Sequence, residues 1–565
     1  MKVLTPQKQW DVLEHDAVAV KALADELAIP PLAARLMIAR GITGAEAGRR
    51  FLEPSLDDLC DPFSLTGMDR AVARIHEAKA RQEKVRVFGD YDVDGISAAA
   101  ILSRALLRFG IENVDCGMPD RLLEGYGIGP AHIDEAVDDG VGLIITVDNG
   151  VRAYAAATRA RERGIALIIT DHHSIDGELP HACAVVNPQQ EPEDHPCRCL
   201  CGAGIAFKVG QALNGTKNDL DIAAVGTVAD LVPLRGENRV IVALGLRHMK
   251  KHKRVGLAHL AAAARIDMAE LRAHHIGFQL GPRLNAAGRI AQGHPSLQLL
   301  LSDCAIESRR IAQELDAANE ERREIEKAIY EACMEELKHT FMENQRAIVL
   351  AHHDWHPGVI GIVASRIQAR YYRPVVLLAL NGNGTAKGSA RGIPGFDTVG
   401  AFTACEDILV QYGGHTAAAG VTLRIEHLDD FSARFEAEAR RQLGDGPLTG
   451  TLHIDALASL SDIDTTLMNT IKRIEPMGMG NPSPVFCSYN VELVPGSARM
   501  LRGNHIKFAV RQDGRVFDCI AFSLGERIHA EELPNALDIA YTPDYNTFRG
   551  ETTIQLVLKD LRPAG

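Results

Sequence analysis

The sequence predicts an α/β architecture: a parallel-sheet domain, a long linking helix, a smaller α/β domain and a C-terminal β-barrel. Three observations carry this expectation. From Val85 to about Val232, short apolar runs alternate with helix-length segments, as buried parallel strands and their crossovers do. Ala305 to Thr340 places Ile311, Leu315, Ala318, Ile325, Ile329 and Ala332 at helical spacing among many Glu and Arg residues, with no Pro or Gly. Beyond Gly450 the periodicity becomes two-residue alternation.

A chain of 565 residues is too long for one core. The expected divisions are an N-terminal helical segment (1–80), a first sheet domain (81–304), the linking helix (305–345), a second α/β domain (346–446) and a barrel (447–565). The composition, 46% hydrophobic and 24% charged, is that of a globular protein. No apolar run approaches the roughly 18 residues of a membrane span, and Met1-Lys2-Val3-Leu4-Thr5-Pro6 has no signal-peptide core. Eleven cysteines scattered through the chain do not make a disulfide framework, so a reducing, cytoplasmic setting is expected and a membrane is not. A net charge of −13 speaks superficially against nucleic acid, but bound cations would offset some of it, and a local basic groove matters more than the total.

Taken in order, Val18 to Leu27 and Leu32 to Ile38 are helical in spacing, interrupted at Pro30-Pro31 and Pro54-Ser55. Val85 to Gly89 is a strand, and Ile96 to Phe109 a helix that follows at once. Leu143 to Val147 and Ala166 to Thr170 are further buried strands, with Ala153 to Gly164 long enough to cross between them. The linking helix would span roughly 50 Å, enough to bridge a cleft. Ala347 to Leu350 and Pro374 to Leu380 begin the second sheet, which closes near Gly444-Asp445-Gly446-Pro447. His505 to Arg511 and Arg515 to Phe522 flank a hairpin turn at Gln512-Asp513-Gly514, and Leu537 to Tyr541 and Thr552 to Leu558 follow; an OB-fold suits them best.

Each strand of the first sheet is expected to end in acid or imidazole. Asp90, Asp92 and Asp94 follow the first strand, Asp148 the next, Asp171, His172 and His173 the one after, and Asp230 lies within Ala229-Asp230-Leu231. Ligands of open α/β sheets bind outside the carboxyl ends of the strands, so these four points should converge. Adjacent carboxylates repel one another, and divalent cations remove that cost. Two magnesium or manganese ions held by these acids and one or two imidazoles would suit phosphoryl transfer. A solvated Asp-rich turn is the plainer reading of the first motif alone.

Gly89-Asp90-Tyr91-Asp92-Val93-Asp94-Gly95, Val147-Asp148-Asn149-Gly150, Asp171-His172-His173 and Ala229-Asp230 resemble the four motifs of the DHH phosphoesterase superfamily. Gly413-Gly414-His415-Thr416-Ala417-Ala418-Ala419-Gly420 resembles the signature of its DHH-associated domain. Within the superfamily, the chain is most similar to bacterial single-strand-specific 5′ exonucleases. Phe51 to Leu56, Gly281 to Arg289, Trp355 to Gly361 and Met477 to Pro482 carry that closer resemblance. It implies metal ligation by Asp90, Asp92, Asp94, Asp148, His172 and Asp230, with Asp171 and His173 in or beside the coordination sphere. It also implies single-stranded DNA as substrate, and a single-strand-binding protein and a helicase as partners in recombination and repair. Phe88 departs from the pattern, standing where many superfamily members place a metal-binding histidine.

The second half carries the candidates for gripping DNA. Gly388-Ser389-Ala390-Arg391-Gly392 and the His415 loop offer amides, a hydroxyl, a guanidinium and an imidazole, an inventory suited to a terminal phosphate unless the glycines only permit tight turns. The resemblance assigns the 5′ end to these positions and to Arg289. Trp355 and His356 either stack on a base or pack at a domain seam. Three patterns are declined. Cys197-Arg198-Cys199-Leu200-Cys201 is too tightly spaced for structural zinc, and His352-His353-Asp354-Trp355-His356 lacks the zincin glutamate. Gly202-Ala203-Gly204 has no third glycine at Phe207, and no Walker A sequence is present, so neither a nucleotide cofactor nor ATP is expected.

The expectation is therefore a metal-dependent 5′ to 3′ exonuclease acting on single-stranded DNA. Its alternatives are a phosphoesterase of short oligonucleotides or cyclic dinucleotides, against which the barrel weighs, and a non-catalytic DNA-binding scaffold, against which the intact acids weigh.

Overall fold

The computed structural model describes residues 8–119, 127–290, 294–522, 524 and 532–565, the side chains of 287–290 and 294 excepted. After a short strand β1 (Gln9–Val12), the first sheet comprises β2 (Lys84–Gly89), β3 (Val114–Gly117), β4 (Val141–Val147), β5 (Ala166–Thr170) and β6 (Ala184–Val186), all parallel, in the order β3-β2-β4-β5-β6. The order reverses direction at β2, and the carboxyl ends of β2, β4 and β5 lie side by side there. Val87 and Ile145 are fully buried beneath the Val93–Phe109 helix, which keeps only a thin outer stripe of its residues accessible, and Ile168 is fully buried in the same core. This is the buried, both-faces-covered sheet that continuous apolar strands require.

The helix Ala305–Thr340 is unbroken over 36 residues. Ile311, Ala312 and Leu315 belong to the first domain's core, whereas Ile329, Cys333 and Leu337 belong to the second's, so its middle spans the gap between them. The second sheet, β7 (Ile348–His352), β8 (Val375–Leu380), β9 (Thr385–Arg391), β10 (Leu409–His415) and β11 (Ala418–Arg424), has the order β10-β11-β9-β8-β7; only β7 and β8 are parallel.

Beyond β12 (Thr451–Ile454) and β13 (Ala456–Leu457) come β14 (Phe486–Leu493), β15 (Arg499–Leu501), β16 (His505–Gln512), β17 (Arg515–Ala521), β18 (Ala536–Phe548) and β19 (Glu551–Pro563). Because β14 pairs with both β18 and β16, the circuit β14-β18-β19-β17-β16 closes into a five-stranded barrel. Asp513 and Gly514 both take positive φ in the β16–β17 turn, as a tight hairpin demands. The last two strands run far longer than their apolar alternation foretold. Their outer arms carry Pro543, Asp544 and Asn546, which erase the pattern while the two arms still pair out to Phe548 and Glu551.

The segment 1–80 divides between two cores. Val20, Leu23, Leu32, Leu36 and Met37 pack into the barrel's core with Leu460, Ile471 and Tyr541, and β1 pairs in parallel with β12. Met68, Ala71 and Ile75 pack beneath the first sheet instead. Pro31, expected to break a helix, opens one at Pro31–Ala39, where its missing N–H costs nothing. Among the described residues, no helix is long and apolar enough to cross a membrane.

Candidate active site

Strand β2 ends at Gly89, and Asp92 then caps the Val93–Phe109 helix, its Oδ1 accepting hydrogen bonds from the N–H groups of Asp94 (2.9 Å) and Gly95 (3.1 Å). Gly95 is obligatory, because a Cβ there would lie 2.5 Å from the Asp90 carbonyl oxygen. Asp148 follows β4 in a left-handed conformation, φ 62°, a strain that recurs at functional sites. Its neighbour Asn149 is held by amide hydrogen bonds to the carbonyls of Phe88 (3.1 Å) and Val147 (2.9 Å). His172 and His173 follow β5, but Asp230, expected at a strand end, instead caps the helix Leu220–Ala229, whose apolar run is buried by packing against other helices rather than within the sheet.

The four points converge. Ligand atoms of Asp90, Asp92 and Asp148 lie within 4.8 Å of one another, as do those of Asp94, His172 and Asp230, and those of Asp148, His172 and His173. Asp148 and His172 thus each belong to two groups. Nε2 of His172 lies 3.0 Å from Asp148 Oδ1, 3.7 Å from Asp230 Oδ2 and 3.9 Å from Asp94 Oδ2. It makes a well-directed hydrogen bond to none of them.

The electrostatics are those of a cation site. Asp92, Asp94 and Asp230 pair with no Lys or Arg among the described residues, and buried Asp230 Oδ2 accepts no hydrogen bond there. Burial, then the charges of Asp94 and Asp92, push Asp230 up to about 9; burial and the same neighbours push Asp148 up too. Burial holds His172 below the ordinary histidine value, so its ring is a neutral nitrogen donor. Hard carboxylate oxygens with one or two imidazoles match manganese or magnesium.

Supporting contacts orient these groups. Asp94 accepts hydrogen bonds from the N–H of Gly202 (2.6 Å) and of Ala203 (2.9 Å), at the N-terminus of the helix Gly202–Asn214. A Cβ on Gly202 would lie 2.5 Å from Asp148 Cβ. Asp171 is turned inward: it accepts from the N–H groups of Val151, His172 and His173 and sits 2.7 Å from His173 Nδ1. Burial alone would raise this carboxyl, but the His173 contact holds it below the usual range. Asp171 therefore serves as the partner that fixes His173, whose own value burial lowers and Asp171 raises, with a net rise.

In the second domain, Arg391 donates to the Ser365 hydroxyl (3.0 Å), the Ser389 hydroxyl (3.0 Å) and the Ala390 carbonyl (2.7 Å), with no carboxylate partner among the described residues. Burial alone lowers its pKa. Gly361 makes room for it, since a Cβ there would meet Ser389 Oγ at 2.8 Å and an Arg391 nitrogen at 2.9 Å. His415 lies in the same row, two strands away through Ala418, about 10 Å at ordinary strand spacing.

Residues 84–232 match the DHH family N-terminal domain, 344–441 the DHHA1 domain and 454–560 the RecJ OB domain. The chain is 37% identical over 561 residues to the single-stranded-DNA-specific exonuclease RecJ of Bacillus subtilis, covering 99% of this chain and 71% of that protein. The chain belongs to the RecJ family. RecJ of Thermus thermophilus in complex with Mn2+ superposes with a TM-score of 0.85 at 31% identity, over 99% of this chain and 80% of that one. The same protein with Mg2+ superposes with a TM-score of 0.80 at 30% identity, over 99% and 79%.

Trp355 is corrected: it is 5% exposed, part of the core formed with the long helix, and offers no face to a base. Its pattern alone could not separate a stacking platform from a core anchor. His356 is half-buried and its Nδ1 accepts from the Gly358 N–H (3.1 Å) in the turn that opens the next helix. The side chain of Arg289 lies outside the described residues. Phe88 is buried in the sheet's outer core with its ring 4.8 Å from that of His132. Cys197, Cys199 and Cys201 diverge: the Cys197 thiol donates to Glu237, Cys199 is exposed and Cys201 lies against Thr227. The Gly202-Ala203-Gly204 run, met in the sequence as a nucleotide-binding resemblance to be declined, is the clamp on Asp94. Its signal was a glycine pair at a helix start, which serves any anion, including a side chain of the same protein.

Proposed function

We propose that this RecJ-family chain is a metal-dependent exonuclease that hydrolyses single-stranded DNA to nucleotides from the 5′ end. The observation that carries the reading is the convergence of Asp90, Asp92, Asp94, Asp148, His172 and Asp230 into overlapping groups that share Asp148 and His172. Two divalent cations, Mn2+ or Mg2+, supply Lewis acidity to the scissile phosphate and lower the pKa of an attacking water when bound there. Asp90 and Asp92 would hold one, Asp94, His172 and Asp230 the other, with Asp148 between them. The chain's own contribution is positional. The capping of Asp92, the Gly202 and Ala203 amides on Asp94 and the Asp171–His173 contact fix the ligands before substrate arrives.

Direction requires recognition of one strand end at a set distance from that centre. Arg391, half-buried beside two serine hydroxyls, fits a terminal 5′ phosphate; Ser389, His415 and Arg289 are proposed as its companions. His356, half-buried at the turn before the helix Ile360–Tyr371, is proposed as a further substrate contact. The family resemblance extends the proposal to a single-strand-binding protein and a helicase as partners and to DNA recombination and repair in the cytoplasm.

Digestion of strands labelled at either end, with manganese and with chelator, tests the reading. Nucleotides should leave first from the 5′ end, in manganese only, and from long strands as well as short ones. Release from the 3′ end, or action confined to dinucleotides, would overturn it.

A further inference from the structure

Phe278 is used by none of these roles, yet it is 80% exposed. It sits on a π-helical turn, Ile276–Leu280, that leads directly into the helix Gly281–Ile290. Such wide turns are rare and recur at functional sites. This one packs against the end of the helix Leu220–Ala229, which leads into Asp230. A Cβ on Gly277 would lie 3.6 Å from Val228 Cγ1 and one on Gly281 3.7 Å from Ala229 Cβ, and Asp230 is the next residue. Leu231, which follows, is 64% exposed at φ 60°, a second apolar side chain held outward on the same rim.

Phe278 also lines a cleft of about 550 Å³. Its walls carry Arg265, Arg283, Arg322 and Arg323 against only Asp316 and Glu320. The wall from the long helix, residues 316–323, is the stretch between its two domain-packed ends, so the cleft opens where the helix crosses the gap. Arg283 is held by Asp316 (2.8 Å), Arg322 by Glu326 (2.9 Å) and Arg323 more loosely by Glu320 (3.8 Å), while Arg265 has no ion-pair partner among the described residues. An exposed aromatic ring beside a guanidinium without an ion pair suits a nucleobase stacked on the ring with its phosphate toward Arg265.

We propose that Phe278 is a base-stacking residue that holds one nucleotide of the single strand in this cleft, on the turn that packs against the helix leading to Asp230. The proposal rests on the nuclease reading above and adds to it the site that grips a base. Every base has a π-face, so such a platform holds the strand without selecting sequence.

The test compares Phe278→Ala, Phe278→Leu and Phe278→Trp with wild type. Binding of a long single strand is read by fluorescence anisotropy in chelator, and kcat and KM are read in manganese. Loss of one stacked base should raise Kd and KM about tenfold in Ala and Leu, while Trp stays within about twofold of wild type. kcat at saturation and manganese binding by calorimetry should hold. A strand with one abasic nucleotide, moved stepwise along it, should weaken wild-type binding most at one position, and that dependence should vanish in Phe278→Ala. Leu binding as well as Trp, unchanged Kd in Ala, or an abasic profile that persists in Ala would each overturn the proposal; in the last two cases the ring serves another contact. If wild type fails to cut single strands, the nuclease reading falls, while the anisotropy series still decides whether Phe278 stacks on a base.

Discussion

His172 Nε2 stands 3.0 Å from Asp148 Oδ1, in the group that joins the other two groups of candidate metal ligands. Asp148 is the one carboxylate shared by the Asp90–Asp92 and the His172–His173 groups. Asp148→Ala should therefore drop turnover in manganese below a tenth of wild type, a barrier increase of at least about 1.4 kcal/mol. Affinity for a single strand, measured by gel shift, should be unchanged, because the candidate DNA contacts lie on other elements. Turnover above that tenth would count against a shared role for Asp148.

Metal and protons should compete at the same carboxylates. Burial and the charges of Asp94 and Asp92 raise Asp230 to about 9, against an ordinary 3.8. A carboxyl with a raised folded pKa stabilises the fold most below its unfolded pKa, and that contribution is lost as pH rises through the folded value. In chelator, the melting temperature should therefore fall between about pH 4 and about pH 9, the window between those two values. Saturating manganese should flatten the upper part of that slope, and Asp230→Asn should flatten it without metal. Parallel melting curves with and without manganese across this range would show that the acids do not hold the ion.

Arg391→Ala should reduce kcat/KM on 5′-phosphorylated strands far more than on strands ending in a 5′ hydroxyl. Arg391→Lys should recover only part of the loss, because an ammonium cannot reproduce the two-pronged geometry of a guanidinium. Manganese binding should be unaltered. An unchanged ratio between the two substrates in Arg391→Ala would remove this residue from end recognition.

Arg40 ties the N-terminal helices to the barrel. Its guanidinium donates to Asn481 Oδ1 (2.7 Å), to the carbonyls of Leu36 (2.7 Å) and Pro482 (2.7 Å), and to Asp455 (3.2 Å). Asn481 in turn donates to the carbonyls of Ile474 (3.0 Å) and Pro476 (2.8 Å). Arg40→Ala would leave Asp455 and several carbonyls unsatisfied in a buried seam, so stability should fall by about 3 kcal/mol. Urea denaturation followed through the barrel's aromatic residues would measure it, and a loss under about 1 kcal/mol would mean water replaces the contacts.

Much of this protein was legible from sequence because the relevant signals are local. Continuous apolar runs such as Leu143 to Val147 require a sheet covered on both faces, and an acid just past each strand then has to meet its neighbours at the sheet's carboxyl edge. The linking helix could be read from spacing alone, since nothing in 36 residues interrupts it. The acids and imidazoles after β2, β4 and β5 therefore converged where the alternation of strands and helices placed them, whereas Asp230 reaches the same point from the end of the helix Leu220–Ala229.

What spacing could not supply was the identity of distant partners. The clamp on Asp94 comes from amides 108 and 109 residues away, at a glycine run that by itself resembled a nucleotide loop. Trp355 and Phe278 are both aromatic residues close to glycines, yet one is 5% exposed and the other 80%. The N-terminal helices showed an apolar stripe but not which core would cover it, and they entered the barrel's, more than 400 residues on. An apolar stripe or a carboxylate fixes only the kind of surface it needs opposite it, by area or by charge. Which segment supplies that surface depends on the packing of the whole chain, and that was decided by the tertiary structure.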